Sequence, residues 1–123
     1  MENEKITTTL KVNDAWYTTQ APYGSPILDF LRGEIELKGT KEGCREGDCG
    51  ACAVLVGRPS RGLTNGTGPR VRYRAVPSCL LALGDVDGCH VITIEGLTAG
   101  ASEGLTPVMR AFLEENASQC GFC

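Results

Sequence analysis

Three cysteines at C-x4-C-x2-C spacing, Cys44, Cys49 and Cys52, most constrain how this 123-residue chain can fold. Thiols so close along one stretch must share a short loop. Glycines punctuate that loop: Gly39 precedes it, and Gly43, Gly47 and Gly50 stand inside it. Glycine takes left-handed dihedrals and lets backbone approach a ligand closely. A loop of this kind can gather its N–H groups around sulfur, which is one lever on the potential of a sulfur-ligated centre. A fourth cysteine, Cys79, follows after a longer gap.

The pattern C-x4-C-x2-C…C is that of plant-type [2Fe–2S] sites, where four thiolates surround a two-iron core. Zinc is the first alternative, but its cysteines come as C-x2–4-C knuckles with a second pair or histidines nearby. Here the grouping is three and then one, and the only histidine is His90. Inert buried thiols are the remaining alternative. Seven cysteines are an odd count, and Met1 to Lys5 carries no apolar core of an export signal. In a reducing cytoplasm such thiols serve as metal ligands before they serve as disulfides, so the chain reads as cytoplasmic. The net charge of −3 disfavours nucleic acid and anionic membrane surfaces as partners. No apolar run reaches the ~20 residues that span a bilayer.

Hydrophobic periodicity then lays out the chain. Ile6, Leu10 and Val12 alternate with polar residues as a half-buried strand, Asn13-Asp14 marks a turn, and Ala15 to Thr19 reads as the hairpin partner. Ser25-Pro26 is a helix start, serine as N-cap and proline in the first turn, with Ile27, Leu28, Leu31 and Ile35 as the buried stripe. Ala53 to Val56, Val71 to Val76 and Val91 to Glu95 read as further strands. Gly57 to Pro69 reads as a glycine-rich connection containing Asn65-Gly66. Five short strands around one helix predict an α+β fold of the ubiquitin-roll (β-grasp) kind. Trp16, Phe30 and Tyr73 are expected in or beside the core. Arg70, Arg72 and Arg74 alternate as a solvated strand face. From Thr98 to Gly104 the residues are small and polar, as in a linker. Thr106-Pro107 starts a second helix with Val108, Met109, Phe112 and Leu113 on one face.

That helix leads to Cys120-x2-Cys123, either a redox dithiol or half of a metal site. The absence of an adjoining βαβ pattern favours the second. Cys89 fits neither group. Its neighbour His90 lies on the opposite face of any extended segment, so Cys89 reads as a structural or surface thiol.

With both cysteine groups placed, the sequence resembles the iron–sulfur part of the molybdenum hydroxylases, the xanthine dehydrogenase and aldehyde oxidoreductase family. The stretch Gly39 to Cys52 is most like the bacterial xanthine dehydrogenase iron–sulfur/flavin subunit. Leu28-Asp29-Phe30-Leu31-Arg32, Tyr73 to Cys79, Thr93-Ile94-Glu95-Gly96-Leu97 and Gln119-Cys120-Gly121-Phe122-Cys123 carry the rest of the resemblance. It implies a plant-ferredoxin-like domain over residues 1–97 whose cluster is ligated by Cys44, Cys49, Cys52 and Cys79. It implies that residues 98–123 begin a helical domain with its own [2Fe–2S] cluster. Cys120 and Cys123 match half of that cluster's ligands, and the C-x-C that supplies the other half in the family does not occur in this sequence. The chain is therefore expected to be a fragment of a longer polypeptide. Gln119 matches a position that touches the pterin of the molybdenum cofactor, held with FAD on other domains or subunits.

The expected function is electron relay, from substrate oxidation at molybdenum toward FAD and NAD+, with no catalytic residue on this chain. A free-standing soluble [2Fe–2S] ferredoxin is the alternative. A plain ferredoxin has no use for the segment from Glu103 to Cys123, which discriminates the two.

Overall fold

A computed structural model describes residues 4–59, 70–98 and 104–121. The strands are β1 (Lys5–Val12), β2 (Ala15–Pro22), β3 (Ala53–Pro59), β4 (Val71–Pro77) and β5 (His90–Ile92). They form one five-stranded sheet in the order β2-β1-β5-β3-β4. All pairs are antiparallel except β1 with β5 at the centre. Helix α1 (Ile27–Asp29) runs directly into a π-helical turn, Phe30–Glu34, and two short helices follow the sheet, α2 (Ile94–Thr98) and α3 (Pro107–Glu114). The mixed sheet with one crossing helix is the α+β architecture read from the sequence.

Alternation decides the faces. In β1, Thr8, Leu10 and Val12 are buried while Lys5, Thr7 and Thr9 are exposed, the signature of a sheet with one face on the core. Ile27, Leu28, Phe30 and Leu31 pack their helix against that face, with Val54, Val56, Leu83, Val86 and Val91 completing the core. Each fully buried leucine contributes about 1.5–3 kcal/mol. Tyr17 and Phe30 meet edge to face, with ring centroids 6.1 Å apart.

Several local expectations are corrected. Pro26 itself is the N-cap of α1, with no side-chain cap, so Ser25 plays no such role. Instead the Ser25 carbonyl accepts from Leu83 N–H at 2.8 Å, tying the helix start to the segment after Cys79. Trp16 is 64% exposed, because period-2 alternation puts its neighbour Tyr17 on the core face of β2. Tyr73 is 43% exposed and crosses over Gly57, where its hydroxyl meets His90 Nδ1 at 2.7 Å. The last strand ends at Ile92, and Ile94 and Glu95 belong to α2. Asn13 explains that change: its Oδ1 accepts from Thr93 N–H at 2.9 Å, a bond that replaces a ladder partner. Gly57 to Pro59 extends β3, whereas Asn65-Gly66 lies outside the described residues. Thr106 does cap α3, its hydroxyl accepting from Met109 N–H at 3.3 Å with Pro107 in the first turn.

Candidate metal centre

The four thiols arrive from three places. Cys44 and Cys49 sit on the loop between the π-helical turn and β3. Cys52 immediately precedes β3, and Cys79 follows β4 after Ser78. Ala53 pairs with Pro77 in the antiparallel ladder, so Cys52 and Cys79 emerge at the same end of the β3–β4 ribbon despite their separation in sequence. Ser78, fully buried between them, locks this end. Its N–H and hydroxyl both reach the Cys52 carbonyl, at 3.2 and 2.7 Å, while its own carbonyl accepts from Leu28 N–H at 3.2 Å.

Cys52 and Cys79 are buried together against Leu28, at 3% and 6% exposure, while Cys44 and Cys49 lie nearer the surface. The loop takes left-handed dihedrals at Arg45 (φ 56°), Gly47 (φ 82°) and Gly50 (φ 74°). These turns aim backbone N–H groups at sulfur. Glu46, Asp48 and Cys49 donate to Cys44 Sγ at 3.4, 3.3 and 3.4 Å, and Ala51 donates to Cys49 Sγ at 3.4 Å. At Gly47 a Cβ would also press on the Leu80 side chain, so both dihedral and space call for glycine.

The consequences for charge follow. The N–H groups of Cys49, Glu46 and Asp48 lower the Cys44 pKa to about 7, because they stabilise a thiolate. Burial pushes the Cys79 thiol up, reinforced by its neighbour Cys52 and by the charge at Cys44, with an N–H from Gly47 acting the other way. Cys79 thus lies within electrostatic reach of Cys52 and Cys44, and Cys44 within reach of Cys49. By burial they form two pairs, an outer Cys44/Cys49 and an inner Cys52/Cys79. Among the described residues no three His, Cys, Asp or Glu side chains converge on a point fit for a single ion. Four cysteine thiols are the donor set that a [2Fe–2S] cluster takes, and these four would hold one here.

Other groups shape the loop. Arg45 clamps it, its guanidinium reaching Glu42 Oε1 at 2.6 Å and Asp29 Oδ1 at 2.5 Å. The Arg45 hydrogen bond in turn holds the Glu42 carboxyl below its ordinary range. Arg32 donates to the carbonyls of Lys38 and Thr40 at 3.1 and 2.9 Å. Lys41 N–H bonds the Ala51 carbonyl at 3.1 Å and closes the loop on itself. Sequence reading passed over Arg45 and Ser78 as parts of the site. A lone arginine between two cysteines in an otherwise acidic loop was the available signal.

The remaining candidates lie elsewhere. Gln119 and Cys120 are exposed after α3, and Cys123 lies outside the described residues. Cys89 is buried in the core cluster at 5% exposure, as a structural thiol. Its neighbour His90 points away, with Nε2 2.8 Å from the Asn13 carbonyl; that oxygen only accepts, so Nε2 carries the proton.

Comparison with known proteins agrees with this geometry. Residues 10–82 match the 2Fe-2S iron–sulfur cluster binding domain. The chain is 45% identical over 97 residues, 79% of its length, to xanthine dehydrogenase 1 of Arabidopsis thaliana. It is 37% identical over 115 residues, 94% of its length, to the aldehyde oxidoreductase iron–sulfur-binding subunit PaoA of Escherichia coli. Among solved structures, the aldehyde oxidoreductase of Desulfovibrio desulfuricans superposes with a TM-score of 0.71 at 31% identity, over 95% of this chain and 11% of that one. The chain spans 7% of the length of the Arabidopsis enzyme and 43% of the Escherichia coli subunit. It belongs to the family of 2Fe-2S iron–sulfur cluster binding domains, in the branch formed by the iron–sulfur regions of the molybdenum hydroxylases.

Proposed function

We propose that Cys44, Cys49, Cys52 and Cys79 ligate one [2Fe–2S] cluster and that the chain relays electrons within a molybdenum hydroxylase. The observation that carries this reading is the convergence of three backbone N–H groups on the Cys44 sulfur, an arrangement suited to a thiolate. When bound, the cluster supplies a one-electron carrier. The chain's own contribution is to position four thiolates, to exclude water from the inner pair, and to tune charge around the outer pair. Gly43, Gly47 and Gly50 shape the loop that wraps it. Burial of Cys52 and Cys79 beside Leu28 shields one side, and the half-buried Cys44 side leaves a short route for electron exchange. Glu46 and Asp48 disfavour an added electron, and Arg45 offsets the charge of Glu42.

In the same reading, residues 1–97 form the cluster domain and residues 98–123 begin a second, helical one. Cys120 and Cys123 supply half of a further [2Fe–2S] site, and Gln119 contacts a molybdopterin on a partner domain or subunit. Electrons pass from that centre toward FAD and NAD+, with xanthine or a related heterocycle or aldehyde as the substrate class and the cytoplasm as the location. Among the described residues no helix is long and apolar enough to cross a membrane. The apolar face of α3 favours this reading over a free-standing ferredoxin: Val108, Phe112 and Leu113 are 67%, 59% and 66% exposed, more than a self-contained carrier needs to show.

Reconstitution with iron and sulfide under reducing conditions tests the assignment. The expected product is coloured and holds about two irons and two sulfides per chain. Cys49→Ala should abolish the visible absorption. Full absorbance in that variant, or a colourless zinc-loaded protein, would sink the cluster assignment.

A further inference from the structure

Strand β4 ends the sheet, so among the described residues one of its hydrogen-bonding edges has no partner. Edges of this kind are normally blunted by shortness, bulges or charge. β4 is seven residues long and pairs with β3 position for position, from Ala53↔Pro77 to Pro59↔Val71, with no bulge. Its charges are all of one sign. Arg72 and Arg74 stand two residues apart and so share a face of the strand. The register sets Arg58 directly opposite Arg72 and Val56 opposite Arg74.

Together with Val76 and Leu81, these residues line a groove of about 440 Å³ with no acidic side chain in its wall. Like charges directly opposite across a sheet are destabilising. Among the described residues the ion pairs are those of Arg45 with Asp29 and Glu42, and none involves Arg58, Arg72 or Arg74. Three guanidinium groups without an ion pair among the described residues thus gather on the β3–β4 ribbon of a chain whose net charge is −3. The opposite face of the strand is apolar, with Val71 and Tyr73 46% and 43% exposed.

This combination has a complement. In an extended peptide, alternate side chains share one face at a spacing of about 6.4–6.8 Å, the same interval that a strand sets between Arg72 and Arg74. Guanidinium forks donate two parallel N–H bonds to a carboxylate. A strand added to a free edge takes affinity from main-chain bonds and specificity from alternate side chains.

We propose that the free edge of β4 receives an extended acidic segment of a partner protein as an additional strand. Carboxylates at alternate positions meet Arg72 and Arg74, with Arg58 at the groove beside them, while the intervening apolar residues cover Val71 and Tyr73. The proposal is independent of what the four cysteines bind, so its failure would leave the relay assignment untouched.

The test uses the whole chain and a fluorescent eight-residue peptide of alternating glutamate and valine, read by anisotropy. Hydrogen exchange of the β4 amides is followed in parallel. The acidic peptide should bind, slow exchange in β4, and lose at least about tenfold in affinity to the double variant Arg72→Glu/Arg74→Glu. Arg72→Gln/Arg74→Gln should fall between the two, and it replaces the reversal if circular dichroism shows that variant to be unfolded. Equal binding to wild type and variants overturns the proposal, as does binding of an alternating lysine–valine peptide. Binding that leaves β4 exchange unchanged also overturns it. Displacement of the peptide by inorganic phosphate at equal concentration would assign the groove to small anions instead.

Discussion

Gly39 donates its backbone N–H to Glu95 Oε1 at 2.7 Å, joining the start of the cysteine loop to the N-terminal turn of α2. The contact is too close for a side chain: a Cβ at Gly39 would collide with Ile94 and with the Glu95 carboxylate. Gly39→Ala should therefore push the loop away from α2 and destabilise the fold by about 1–3 kcal/mol, the cost of an overpacked site. Thermal unfolding measures it. A variant with unchanged stability would show that the loop has slack there.

The same carboxylate sets a pH dependence. Burial pushes the Glu95 pKa up, but bonds from the Thr93 hydroxyl, from its own N–H and from Gly39 N–H outweigh this and leave it lowered. A carboxyl depressed by folding stabilises the folded state above its unfolded pKa, about 4.3. That contribution is lost as pH falls through the lower, folded value. Exchange of the Gly39 amide should accelerate relative to the sheet amides as pH drops below about 4.3. Glu95→Gln should remove the dependence at neutral pH already. An amide whose protection is the same in both proteins at every pH would contradict the role.

Arg45 should matter to the loop more than to the fold. Its two ion pairs are exposed, with side chains 43–49% accessible, and exposed pairs contribute little to global stability. Arg45→Gln should leave the unfolding temperature near that of the wild type. Release of iron to a chelator should rise, by less than about tenfold, because the clamp between Asp29 and Glu42 is lost. The reduction potential should fall as well, since one positive charge beside the outer thiolates is gone. An unchanged potential together with an unchanged release rate would remove Arg45 from the site.

Cys89 provides the contrasting case. It is a buried core residue whose thiol is pushed up by desolvation, and its Sγ lies 3.7 Å from the Asp87 carbonyl. Cys89→Ala should leave iron and sulfide content unchanged and cost about 1 kcal/mol, as a small core deletion does. Loss of iron in this variant would mean that the thiol supports the centre after all.

Much of this arrangement was legible in the sequence where the physics is local. Alternation in Ile6 to Val12 and in Ala15 to Thr19 placed a hairpin, because a half-buried strand must repeat every two residues. The Thr106-Pro107 signal located α3, because capping is satisfied within one turn. Trp16 went wrong for a related reason. Its size suggested the core, but its parity on β2, fixed by Thr19 and Tyr17, put it outside.

By itself, the sequence determined that Cys44, Cys49 and Cys52 share one short loop, since their spacing is a matter of covalent distance. It also determined the need for glycine at Gly47 and Gly50, where the loop turns through left-handed dihedrals. The tertiary structure alone decided how the fourth thiol arrives, through the β3–β4 register that brings Cys79 beside Cys52. It likewise decided that Arg45 finds Asp29, that Gly39 meets Glu95, and that Arg58 faces Arg72. Those contacts join residues far apart along the chain, and only the burial of one shared core by the sheet and its crossing helix sets them at contact distance.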